Sequence, residues 1–67
     1  MQRILHLPIT GLIRLPTVLA HIPVSRATFL EGVRTGRFPR PLRNGRITAW
    51  RAEDIHALIA NFDQSDR

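Results

Sequence analysis

Apolar residues fall at helical spacing in three stretches of this chain. In the middle one, Phe29 and Val33 lie four apart and share a helix face. Ser25 precedes that stretch as an N-cap, and Gly36 follows it as a left-handed stop. A helix is therefore expected from about Ser25 to Thr35. Upstream, Val18, Leu19 and Ile22 make a shorter stripe. Pro16 suits the first helical position and Pro23 ends the run, so a helix from Thr17 to His21 or Ile22 is expected. Downstream, Ile55, Leu58, Ile59 and Phe62 form a one-sided stripe. It is opened by Arg51-Ala52-Glu53-Asp54, whose acids suit the positive end of a helix dipole. Leu19, Phe29, Val33, Ile55, Leu58 and Ile59 are the expected core.

Between the second and third helices the signal is that of a hairpin. Leu42-Arg43-Asn44-Gly45-Arg46-Ile47 centres on Asn-Gly, which favours a type I′ turn. That loop would set Arg43 opposite Arg46 and Leu42 opposite Ile47, with the apolar pair facing inward. Pro39 and Pro41 keep the preceding segment extended. Leu12-Ile13-Arg14-Leu15 suits one edge strand, and Trp50 closes the second hairpin strand. Residues 1–11 read as an N-terminal arm broken by Pro8 and Gly11, either partly ordered or packed on the body or on a second copy. Residues 12–62 form the domain, and residues 63–67 should fray. The expected fold is small α+β: a winged helix-turn-helix with three helices and a two-stranded β-hairpin wing. The short turn between the first two helices has helix-turn-helix spacing.

Size and composition narrow the function. A chain of 67 residues buries only about 60% of its unfolded surface, leaving little room for an enclosed substrate pocket. With no cysteine, neither disulfides nor thiolate ligands are available. No apolar run is long enough for a membrane span, and the start lacks a secretion signal, so a cytoplasmic, nucleoid-associated protein is expected. All ten basic residues are Arg. Residues 1–52 carry +8, with Glu31 their single acid, whereas residues 53–67 carry −3. That asymmetry suits a body that faces a polyanion.

These features make the helix from Ser25 to Thr35 a candidate for reading a DNA major groove. Arg26 is the first candidate for a base contact, as a guanidinium matches guanine O6 and N7. Ser25 is a cap whose N–H can also meet a phosphate. Thr28 is either a phosphate or thymine-methyl contact or a plain surface residue. Arg34, Arg37, Arg40 and Arg43 are phosphate candidates. Arg43 and Arg46, placed opposite one another, would repel unless a phosphate lay between them; guarding a sheet edge is the alternative.

The order and spacing of several short runs add a resemblance. They are Leu12-Ile13-Arg14-Leu15-Pro16, Val24-Ser25-Arg26-Ala27-Thr28, Gly36-Arg37-Phe38-Pro39, Gly45-Arg46, Trp50-Arg51 and Asp54-Ile55. Over about residues 12–62 the chain resembles the AlpA-type phage and prophage regulators, small members of the MerR-like winged-helix group related to phage excisionases. The resemblance implies a bacterial DNA-binding fold that regulates transcription of mobile-element genes or acts as an excision factor. It matches Ser25, Arg26 and Thr28 to the DNA-facing helix start, Arg46 to the wing arginine, and Trp50 to the aromatic that docks the wing. The chain departs from the pattern at Pro23, Leu30 and Glu31, and Gly32 weakens the helix by about 1 kcal/mol relative to Ala.

Nothing in the sequence points to catalysis, a cofactor or a metal. His6, His21 and His56 lack ligand spacing, and Glu53 and Asp54 are adjacent and diverge on a helix. The expected partner is double-stranded DNA, bound by a dimer or by arrays on repeated sites, with a recombinase or RNA polymerase as further partners. The rival readings are an architectural excision factor that bends DNA beside a recombinase and a protein-interaction module with an acidic partner. RNA binding is weaker still, without an aromatic pair on a strand.

Overall fold

The structure, a computed structural model, describes residues 6–62. It is a small α+β fold with three helices and a three-stranded antiparallel sheet. In chain order the elements are β1 (Leu12–Ile13), α1 (Leu15–His21), α2 (Arg26–Thr35), β2 (Leu42–Asn44), β3 (Ile47–Arg51) and α3 (Ala52–Ala60). The sheet order is β1-β3-β2, so β3 is the central strand. The expected two-stranded ribbon is thus corrected to three strands, because Leu12 and Ile13 pair with Arg51 and Trp50.

Local chemistry sets the helix ends. α1 begins at Leu15 rather than Thr17, with Arg14 as N-cap. Pro16 is tolerated inside the first turn because N–H groups there have no helical acceptor. Pro23 confines Ile22 to extended backbone (φ −116°, ψ 119°), and the helix stops. Ser25 caps α2: its Oγ accepts from the Thr28 N–H at 3.1 Å. Gly36 ends α2 at φ 87°, where a Cβ would be strained. Glu53 and Asp54 lie in the first turn of α3.

The hairpin turns one residue later than Asn-Gly predicts. Asn44 pairs with Ile47, Arg43 with Thr48, and Leu42 with Ala49. Gly45 takes the first central position at φ 62°, and Arg46, the second, keeps a negative φ. Positive φ at the first position alone is the pattern of a type II′ turn rather than I′. Arg43 and Arg46 are therefore not opposite each other. The register moves by two residues, so the same side chains still share each face, with buried Ala49 beside Leu42 and Ile47 on one and buried Trp50 beside Arg43 and Arg46 on the other, and the expected inward packing of Leu42 and Ile47 is not seen. Trp50 and its partner Ile13 are buried, whereas Leu42 and Ile47 are 39% and 51% exposed.

The core is built on Phe29. Its ring stacks on Phe38 at 5.1 Å and meets Trp50 edge-on at 5.6 Å. Trp50 Nε1 donates to the Pro39 carbonyl at 2.9 Å, so its polar atom is satisfied inside. Ile13, Val18, Ile22 and Ile55 complete the buried cluster. Leu19, Val33 and Leu58 only flank it, and Ile59, expected inside, is 41% exposed. Phe38 was not expected in the core. Gly32 makes room for it: an added Cβ would lie 2.3 Å from Phe38 Cδ2. The Phe38 N–H also donates to the Gly32 carbonyl at 3.0 Å.

The described part of the arm packs on the body. Leu7 rests against the core. His56 Nε2 donates to the Pro8 carbonyl, the Thr10 hydroxyl donates to Glu53 Oε2, and the Ala52 N–H donates to the Gly11 carbonyl, each at 2.8 Å. Ile4 and Leu5 of the arm, and the tail expected to fray at 63–67, lie outside the described residues.

Candidate nucleic-acid interface

Three arginines from distant parts of the chain surround one hollow of about 330 Å3. Arg14 comes from the start of α1, Arg26 from the first residue of α2, and Arg46 from the hairpin turn. Trp50 and Thr48 of β3 and Leu30 of α2 also line it. Among the described residues none of the three guanidinium groups is in an ion pair. The N–H groups of the first turn of α2 add the positive end of its dipole beside Arg26. The hollow is thus a cationic rim over a partly apolar floor. Arg43 is the cross-strand partner of Thr48 and so shares the sheet face that lines it.

A second hollow, of about 290 Å3, lies across α2. It is lined by Ala27, Thr28, Glu31, Gly32, Thr35 and Arg37. Thr28 Oγ1 accepts from Ser25 Oγ at 2.9 Å, which leaves the Thr28 proton free to donate outward. The Ser25 hydroxyl accepts from the helix N–H and donates to Thr28, so it has no proton left for a ligand and its role here is the cap. The Arg37 guanidinium sits over the Phe38 ring at 5.3 Å, a cation–π contact that anchors it at the end of α2.

Arg34 is engaged elsewhere. Its Nε donates to Glu31 Oε1 at 3.1 Å, and its Nη2 donates to Glu31 Oε2. That fork holds the Glu31 carboxyl below the usual carboxylate range and raises Arg34 further.

The expected site residues therefore divide by position. Arg26 and Arg46 meet at one hollow with Arg43 on the adjoining sheet face, Thr28 and Arg37 flank the other, and Arg34 is paired on the helix. Arg14 was missed. Its place beside Arg26 depends on the short β1–β3 pairing, and the one local hint is that it stands two residues before Pro16, where α1 begins.

Among the described residues no group of three His, Cys, Asp or Glu side chains could hold a metal ion. His21 Nδ1 donates to the Thr17 carbonyl, and His56 is held by Pro8. No described helix is long and apolar enough to cross a membrane. No family model, curated protein or solved structure matches the chain.

Proposed function

We propose that this chain is a double-stranded-DNA-binding protein of winged helix-turn-helix type, with α2 entering the major groove and the hairpin bracing the flanking backbone. The observation that carries the reading is the common hollow of Arg26 and Arg46. A reading helix and a wing work on one duplex only if their cations converge on one side. α2 has ten residues, about 15 Å of helix, which suits a groove about 12 Å wide.

In this reading Arg14, Arg26 and Arg46 hold the phosphate backbone beside the groove. Arg26 turns toward the hairpin rather than straight out from α2, which favours a phosphate over a base edge for it. Thr28 and Arg37 meet the backbone on the far side of the helix. The resemblance to phage and prophage regulators supports transcriptional control of mobile-element genes as the biological role. A module this small buries only about 600–1,000 Å2 on DNA, so pairs or arrays on repeated sites supply the affinity.

Duplex titration at several salt concentrations tests the reading. Five phosphate contacts give a log–log salt slope of about −4 to −5. A flat response, or no binding at low salt, overturns it. A reporter carrying a selected site then tests the regulatory role.

A further inference from the structure

The side of α2 opposite its buried face does not carry its one unpaired arginine, Arg26. Phe29 and Gly32 are buried. Ala27 and Glu31 stand two residues on either side of Phe29, and two residues turn a helix by about 200°. Both therefore point away from the core, and both are exposed. Arg26 and Leu30 turn to the hairpin hollow, whereas Ala27 and Glu31 border the other hollow together with Thr28 and Thr35. If α2 lies in a major groove, Ala27 and Glu31 are the pair that meets the base edges.

Glu31 is also the single acid in residues 1–52. A carboxylate on the crest of a cationic face repels every phosphate, so it lowers affinity for all duplexes unless it finds a donor. Arg34 fixes its orientation through a two-pronged hydrogen bond. An ionised carboxylate offers about four lone-pair sites. The fork uses two and leaves two to accept. In the major groove the donor that pairs with a carboxylate is the N4 amino group of cytosine.

We propose that Glu31, oriented by Arg34, is the specificity-determining residue of this interface, accepting a hydrogen bond from cytosine N4, with Ala27 one turn away against the same groove. The inference rests on the duplex-DNA reading. It makes Arg34 a positioning residue, not a phosphate contact. The carboxylate supplies discrimination at the expense of non-specific affinity.

The test is selection from a random duplex pool with the unaltered chain and with Glu31→Ala. The unaltered chain is expected to enrich a fixed C·G pair. Glu31→Ala is expected to lose preference at that pair by about 5- to 150-fold, while binding random duplex at least as well. Alanine is the best helix former and the Glu31–Arg34 pair is exposed, so α2 should persist; circular dichroism checks this. Should α2 be disturbed, Glu31→Gln takes the same test, with enrichment expected to move from C·G to A·T because an amide pairs with adenine. Unchanged enrichment in the variant, or an unaltered chain that binds duplex without preferring a C·G pair, overturns the role of Glu31 and leaves duplex binding standing. An unaltered chain that binds no duplex at low salt removes both.

Discussion

The Phe38 ring occupies the space that a side chain at position 32 would need, with Cδ2 only 2.3 Å from where a Cβ would be built. Gly32 is in a ten-residue helix, where alanine would ordinarily add about 1 kcal/mol. Here the added methyl must displace a ring stacked on Phe29, and overpacking a core costs about 1–3 kcal/mol. Gly32→Ala is expected to lower stability by up to about 2 kcal/mol, the overpacking cost less the helix-propensity gain. In a domain of this size that moves Tm down by several degrees, measurable by thermal denaturation. A rise in Tm would mean that Phe38 is not held on α2.

Trp50→Phe separates the ring from its hydrogen bond. The apolar contact with Phe29 is largely kept, but the Pro39 carbonyl loses the Nε1 donor. The expected cost is about 1–3 kcal/mol, read from the midpoint of urea unfolding. Phe29→Ala removes the ring that both other aromatics touch, and should cost about 3–5 kcal/mol. That is comparable to the whole stability of a small domain, and circular dichroism is expected to show a largely unfolded chain.

Single alanine substitutions of Arg14, Arg26 and Arg46 are expected to weaken binding to all duplex sequences alike. Each should reduce the magnitude of the log–log salt slope by about 0.9. Arg34→Ala should leave that slope unchanged, as its guanidinium is paired with Glu31. Fluorescence anisotropy with two unrelated duplexes checks both statements.

Acid should loosen the junction of the arm and α3. The Glu53 carboxyl is held below its usual range first by its own backbone N–H, then by the Thr10 hydroxyl, with Arg51 and His56 adding charge attraction. A carboxylate whose pKa is lowered in the folded state stabilises fully above its unfolded value, and that contribution fades as pH falls through the folded value. Stability should therefore decline below about pH 4. Thr10→Val should weaken this dependence and Glu53→Gln should weaken it further, leaving the share that Glu31 contributes, as seen in Tm measured between pH 7 and pH 3.

Much of the helical architecture is legible from short-range chemistry. Ser25, Gly36 and Pro23 set helix limits through atoms a few residues away, and each does so in the structure, while the Glu53-Asp54 pair falls in the first turn of α3. Trp50 as a docking aromatic is likewise readable from its place at the end of a strand. The misreadings involve distant partners. Gly32 reads as a weak helix position until Phe38 is seen to need its missing side chain. Asn44-Gly45 satisfies one turn type and Gly45-Arg46 another, and the sequence of the turn alone does not choose between registers two residues apart. Ile59 fits the stripe of α3, but α3 turns only Ala52 and Ile55 fully inward. Arg14 joins Arg26 and Arg46 only because two residues of β1 pair with the end of β3.

The β1-β3-β2 order has a consequence for synthesis. A nascent chain that has reached Gly45 has already made α1 and α2, but the Trp50 ring that lies against Phe29 has yet to emerge, as has the strand that Ile13 joins. Such an intermediate would leave the apolar sides of both helices wet. Folding is therefore expected to wait for residues 46–60 and then proceed as one cooperative event, and a released fragment ending near residue 45 should be rapidly digested by protease.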